Sequence, residues 1–105
     1  MGKPTPYTLA VTSTASAGLD ELPAFEQRQV ADAIDANLLF EPLSETRRRK
    51  NLGVIKSSFA YDPPLWELKV GELRVFYNVD DSARTVYVRS IRRKPHGTTT
   101  QEIVL

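Results

Sequence analysis

Lys69 and Arg74 are the residues of this 105-residue sequence best suited to hold a charged substrate. They flank Gly71-Glu72, a two-residue loop with glycine first, as a type II′ hairpin turn prefers. Such a turn pairs Val70 with Leu73, Lys69 with Arg74, Leu68 with Val75, Glu67 with Phe76 and Trp66 with Tyr77. Side chains alternate across a sheet. Trp66, Leu68, Val70, Leu73, Val75, Tyr77 and Val79 therefore share one face, the one helices should cover. Glu67, Lys69, Arg74, Phe76 and Asn78 share the other. If Val79 pairs with Val86, the next strand adds Tyr87, Arg89 and Ile91 to that second face. Like charges directly opposite each other destabilise a sheet. The Lys69–Arg74 pair makes sense on a face that receives phosphate, and Glu67 and Glu72 are the carboxylates that could neutralise it locally instead. Arg74 is the stronger anion ligand, because its fork can bind two phosphate oxygens at once. On an open face its removal should leave the fold intact.

Other candidates are less specific. Arg47, Arg48, Arg49 and Lys50 form a basic run that reads first as a solvated face and second as a grip on RNA. His96 lies between Pro95 and Gly97 in a loop, where it is either a proton-transfer group or incidental. Phe76 and Tyr87 have the parity to stack on bases, and a covering C-terminal tail would fit them equally well. Trp66 and Tyr77 have core parity. The absence of cysteine removes disulfides and thiolate sites, and a single histidine argues against a conventional zinc site. We expect no metal and no cofactor.

The elements that must position these residues follow from periodicity. Tyr7, Leu9 and Val11 alternate with polar or small residues as a first strand does. Ala15, Leu19 and Leu22 have helical spacing. Pro23 suits the first turn of a second helix running to about Phe40, with Val30, Ala33, Ile34, Asn37 and Leu38 near one stripe. Ser44–Lys50 reads as a helical turn or loop. Strands are expected over Gly53–Ala60, Leu65–Val70, Leu73–Val79 and Thr85–Ile91. The pattern is α+β: an N-terminal strand, a helical hairpin, then a twisted, mostly antiparallel sheet. The tail Gln101–Leu105 ends apolar and should dock.

Length bounds the chain to one domain over residues 1–105. The net charge of +1 conceals an asymmetry: residues 1–45 hold two basic and seven acidic side chains, residues 46–105 twelve basic and six acidic. This suits a polyanion on one face and solvent or a protein on another. No apolar run approaches the ~20 residues that span a bilayer. The Tyr7–Val11 stretch reads as a strand rather than a signal peptide, so a cytoplasmic protein with no membrane partner is expected.

The segment Pro64–Val79, with its basic strand end, Gly turn and Arg-hydrophobic-aromatic-Tyr strand, resembles the central signature of RelE/ParE-superfamily toxins. Thr85–Lys94 resembles the family's last long strand, and the Leu19, Leu22, Pro23 region and Thr46–Leu52 stand upstream in the family's order. The resemblance implies a RelE-like fold, a type II toxin–antitoxin toxin and a cognate antitoxin encoded alongside. RelE-like members are metal-independent endoribonucleases (mRNA interferases) that cut mRNA, typically on the ribosome. ParE-like members inhibit gyrase through a protein surface, and an inactive relative would also act through a partner. By position, Lys69 and Arg74 match the family's basic residues on the central strands, and Lys94 or Arg93 the one after the last strand. His96 is the candidate for the C-terminal proton-transfer group. Glu67 stands where some members carry lysine, and is either a base or a salt-bridge partner for Lys69. If the protein is a nuclease, the RNA-binding candidates are Arg47, Arg48, Arg49 and Lys50 of the basic run, Phe76, Tyr87 and Arg89 of the second sheet face, and Arg93.

Overall fold

The computed structural model describes residues 5–105. The elements run β1 (Thr8–Val11), α1 (Ser13–Asp20), α2 (Ala24–Leu38), β2 (Arg49–Gly53), β3 (Leu65–Val70), β4 (Leu73–Asp80), β5 (Thr85–Arg93) and α3 (Thr100–Ile103). The five strands form one sheet in the order β1-β5-β4-β3-β2. β1 runs parallel to β5, and every other pairing is antiparallel. The α+β architecture is the expected one.

Each helix has a local cause. Thr12 caps α1: its side-chain oxygen accepts from the Ala15 N–H, which the helix start would otherwise leave unpaired. The same hydroxyl donates to Val88 O, tying the cap to β5. Pro23 caps α2, and Val30, Ile34 and Leu38, four residues apart, are the buried stripe. That stripe packs on Trp66, Leu68, Val70, Leu73, Val75 and Tyr77, the face assigned to the core by hairpin parity. The β3–β4 register is the expected one at all five pairs, from Val70 with Leu73 to Trp66 with Tyr77. Gly71 has φ +58°, the positive angle that the first position of a type II′ turn demands.

Three expectations needed correction. The strand between α2 and the hairpin is Arg49–Gly53, beginning within the last two residues of the expected basic loop, and not Gly53–Ala60. It ends at Gly53, where the register shifts, φ is +69° and the Asn51 side chain accepts from the Gly53 N–H. The segment after it is irregular and folds across the second sheet face.

The second correction concerns β5. Val79 pairs with Val86 as expected, but the register then slips: Tyr77 lies opposite Val88, and Phe76 opposite Ser90. Arg89 is the extra residue of a β-bulge, which reverses parity for the rest of the strand. Ile91 therefore enters the helix-covered core, while Ser90 and Arg92 take the second face.

The third is that the second face is not open. Phe59, Leu65, Phe76 and Val104 form a second buried cluster, with Leu52, Ile55, Tyr61 and Ile103 packed against it. The tail docks by α3, and Ser58 N–H donates to Val104 O at 2.8 Å. At the end of this face nearest the Gly71 turn, Lys69 stays exposed.

Candidate functional site

The accessible end of the sheet is a cleft of ≈ 290 Å³ whose wall includes Lys69, Arg74, Lys94 and His96, with Gly71, Glu72 and Gly97. Three chain segments build it. The type II′ turn presents Lys69 and Arg74 on rigid, hydrogen-bonded strands. The end of β5 supplies Lys94, whose N–H donates to Glu72 O at 2.8 Å and fixes the strand against the turn. A second turn supplies His96: Thr98 N–H donates to Pro95 O, and Gly97 takes φ +81°, as position i+2 of a type II turn requires.

Arg74 is not on an open face. It is 9% exposed, and its Nη1 donates to Gly71 O and Leu73 O, both at 2.8 Å. These bonds brace the turn and aim the fork. Its Nε and Nη2 find no acceptor among the described residues, so donors remain for a ligand. The expectation that Arg74 could be truncated without structural cost is thus corrected.

Lys69 (β3), Arg74 (β4) and Arg92 (β5) lie side by side across three strands. Arg92 was missed because only the Arg89 bulge brings it to this face. Its guanidinium donates to Ser90 Oγ, Ser58 Oγ and Ile103 O and lies over the Phe59 ring. Burial lowers its pKa. No carboxylate pairs with the row among the described residues. Glu67 accepts instead from Thr100 Oγ1 at 2.8 Å, and Glu72 lies 3.6 Å from Arg93. None of the four salt bridges among the described residues uses Lys69 or Arg74. Neither Glu67 nor Glu72 forms a salt bridge with Lys69 or Arg74, although Glu72 stands in the same cleft wall.

The remaining expected site residues divide. Glu67 is buried beneath α3, outside the cleft wall, and is not the expected salt-bridge partner of Lys69. Phe76 is fully buried in the second cluster and has no face for a base. Tyr87 is half-buried, with Arg89 over its ring. Arg89 itself donates to Asn78 and pairs with Asp62, so it is already engaged. Arg49 is structural: 7% exposed, it donates to Asn37 O and Ser44 O and neutralises the carbonyl end of α2. Arg93 lies on the helix side, where Glu26 binds it through both carboxylate oxygens at 2.6 and 3.1 Å. That pairing raises the pKa of Arg93. Lys94, not Arg93, is therefore the basic residue that follows β5 into the cleft. Lys50 is exposed on the edge strand opposite Glu67, and Arg47 and Arg48 are exposed beside Lys69.

Comparison with solved structures places this fold among RelE-type proteins. The toxin–antitoxin complex RelBE2 of Mycobacterium tuberculosis matches with TM-score 0.66 and 26% identity, over 85% of this chain and 99% of that one. The archaeal RelE–RelB complex of Pyrococcus horikoshii matches at 0.68 and 17%, over 87% and 98%. The isolated RelE toxin of E. coli matches at 0.58 and 18%, over 91% and 93%. The family model described as the ParE toxin of type II toxin–antitoxin system, parDE, matches residues 9–94. The chain belongs to that family, within the RelE/ParE superfamily of type II toxins. No curated protein matches closely enough to count as a relative. Among the described residues, no helix is long and apolar enough to cross a membrane.

Proposed function

We propose that the cleft binds an RNA phosphate and that the protein is a metal-independent endoribonuclease of the RelE type, cutting mRNA on the ribosome in the cytoplasm. The observation that carries this reading is the convergence of Lys69, Arg74, Lys94 and His96 in one cleft where neither Lys69 nor Arg74 has a carboxylate partner. Cleavage needs no redox partner. The ribose 2′-oxygen bonds to the adjacent phosphorus, the bond from phosphorus to the 5′-oxygen breaks, and a 2′,3′-cyclic phosphate and a 5′-hydroxyl result. One group takes the 2′ proton and another supplies a proton to the 5′-oxygen. His96 is the imidazole available for one transfer. Arg74, with Lys69 and Lys94, stabilises the extra negative charge as it develops. Arg74 acts from a braced position, so little reorganisation is needed at the moment of reaction.

A second reading, inhibition of gyrase through a protein surface, is favoured by the description of the matching family. Incubating the purified protein with translating ribosomes and mapping mRNA ends, beside a gyrase supercoiling assay, separates the two. New 5′-hydroxyl ends with unimpaired supercoiling support the nuclease. Intact mRNA with blocked supercoiling supports the alternative.

The same reading includes a cognate antitoxin, since two of the similar structures are toxin–antitoxin complexes. Its binding segment should be acidic or amphipathic, to cover the basic cleft and the exposed Leu105. Co-expression of the native operon should recover it; failure to recover a stable small partner contradicts this part.

A further inference from the structure

Across the Gly71 turn from the cleft lies a larger hollow, of ≈ 510 Å³, walled by Gln29, Arg47, Arg48, Lys69 and Gly71. Its wall holds three cations and no carboxylate. Neither Arg47, Arg48 nor Lys69 takes part in a salt bridge among the described residues. The backbone of Arg48 is held in place, and Arg47 lies between it and Thr46. Thr46 Oγ1 accepts from the N–H groups of both Arg48 and Arg49, Thr46 N–H donates to Arg49 O, and Lys69 N–H donates to Arg48 O. Gln29 comes from α2, close enough to the turn that a Cβ on Gly71 would lie 3.6 Å from its Nε2. Lys69 and Gly71 line the hollow and the cleft alike, so the two form one basic track around the turn.

We infer that this hollow is a second phosphate subsite, which holds the backbone of the same single strand on the far side of Lys69 from the reacting phosphate. The inference rests on the nuclease reading for the direction of the strand, but the subsite itself can be tested without cleavage. Unpaired guanidinium forks with a neutral amide donor suit phosphate oxygens. The wall has no large apolar side chain of the kind that anchors a protein partner. Phosphate contacts of this sort fix register without reading sequence. Continuity with the cleft favours a polynucleotide over a free anion.

The probe is a short single-stranded DNA, which presents the same phosphates but lacks the attacking 2′-OH. Its affinity is measured against salt concentration for the parent, for the Arg47→Gln/Arg48→Gln double variant and for Gln29→Glu. All three substituted residues are exposed, so the fold is expected to persist, with circular dichroism as the check. Each lost phosphate contact lowers the logarithmic salt slope by about 0.7 for a single strand. The double variant should therefore lose roughly 1.4 of slope if both arginines contact phosphate. Gln29→Glu should bind more weakly by placing a carboxylate in the wall, and strand binding should shift the Gly71 amide resonance. For RNA, the double variant should raise the concentration giving half-maximal cleavage more than it slows the saturated rate.

An unchanged salt slope in the double variant overturns the subsite and leaves the nuclease reading standing. Saturation of the Gly71 shift by inorganic phosphate at the concentrations at which the strand acts also overturns it, in favour of a free-anion site. So does an acidic peptide that shifts Gly71 where the strand does not. Variant-sensitive strand binding without RNA cleavage under any condition upholds the subsite and removes the nuclease reading.

Discussion

Gly18→Ala tests how the helical layer is seated on the strand that carries the site. Gly18 lies inside α1, where alanine would ordinarily stabilise by roughly 1 kcal/mol. A Cβ there, however, would lie 2.7 Å from Ile91 O and 3.8 Å from Ile91 Cβ. The first contact is closer than carbon and oxygen tolerate, and the obstacle is backbone. β1 pairs with β5 only as far as Val88, and α1 lies beside the continuation. Ile91 is pinned on its other side to Val75 of β4. Neither partner can yield cheaply, and overpacking of this kind costs about 1–3 kcal/mol. Set against the propensity gain, the net loss should be up to about 2 kcal/mol. A displaced Ile91 would also pull on Lys94, three residues along the chain. Urea unfolding is the assay: the midpoint should fall with the slope unchanged. Ser16→Ala, an exposed position of the same helix, is the control and should be neutral or slightly stabilising. A Gly18→Ala protein as stable as its parent would refute the close-seating argument.

Two further outcomes follow from buried polar groups. Tyr77 donates to Pro42 O at 2.6 Å, and burial raises its pKa well above the usual value, with the Arg49 charge opposing. Because the folded pKa is the higher one, this contribution is full below the unfolded pKa of about 10 and declines above it, by about 1.4 kcal/mol per pH unit, until the folded pKa is reached. Tyr77→Phe should lose about 1 kcal/mol at neutral pH and show a shallower alkaline decline in urea titrations; identical alkaline slopes would contradict this. Arg49→Met should destabilise by about 2–3 kcal/mol through the orphaned Asn37 and Ser44 carbonyls, while the folded fraction keeps its affinity for single-stranded nucleic acid; a stable variant with weakened binding would return Arg49 to the interface.

The hairpin was legible because its turn carries its own instruction. Glycine at the first loop position selects the turn, the turn fixes the register, and the register assigns every side chain of β3 and β4 to a face. β5 was legible only as far as Val88. No residue type marks a bulge, and a single inserted residue moved Ile91 into the core and Arg92 out of it. β2 was hidden because Arg49-Lys50-Asn51-Leu52-Gly53 shows no alternation of apolar side chains. Its buried member is an arginine whose partners, Asn37 and Ser44, come from outside the strand. The same limit applied to the site. Lys69, Arg74, Lys94 and His96 could be chosen by type and family position, and they do share a cleft. The burial of Phe76 and Glu67 depended on where the irregular 54–62 segment and α3 would settle, which periodicity does not encode. Gln29 gave no signal, since one exposed amide on a helix looks like any other.

The central claim is that the cleft beside the Gly71 turn performs RNA cleavage, and the most direct measurement is the single-turnover rate on ribosome-bound mRNA for the parent and Arg74→Met. Methionine keeps an unbranched stem in a position that is 9% exposed but removes the charge and every donor. Circular dichroism and urea midpoints on the same samples account for the lost brace on Gly71 O and Leu73 O. With the variant folded, the rate should fall by roughly 10²–10³, the usual consequence of removing one preorganised charge-stabilising donor. A folded Arg74→Met protein that cuts mRNA as fast as its parent would contradict the account.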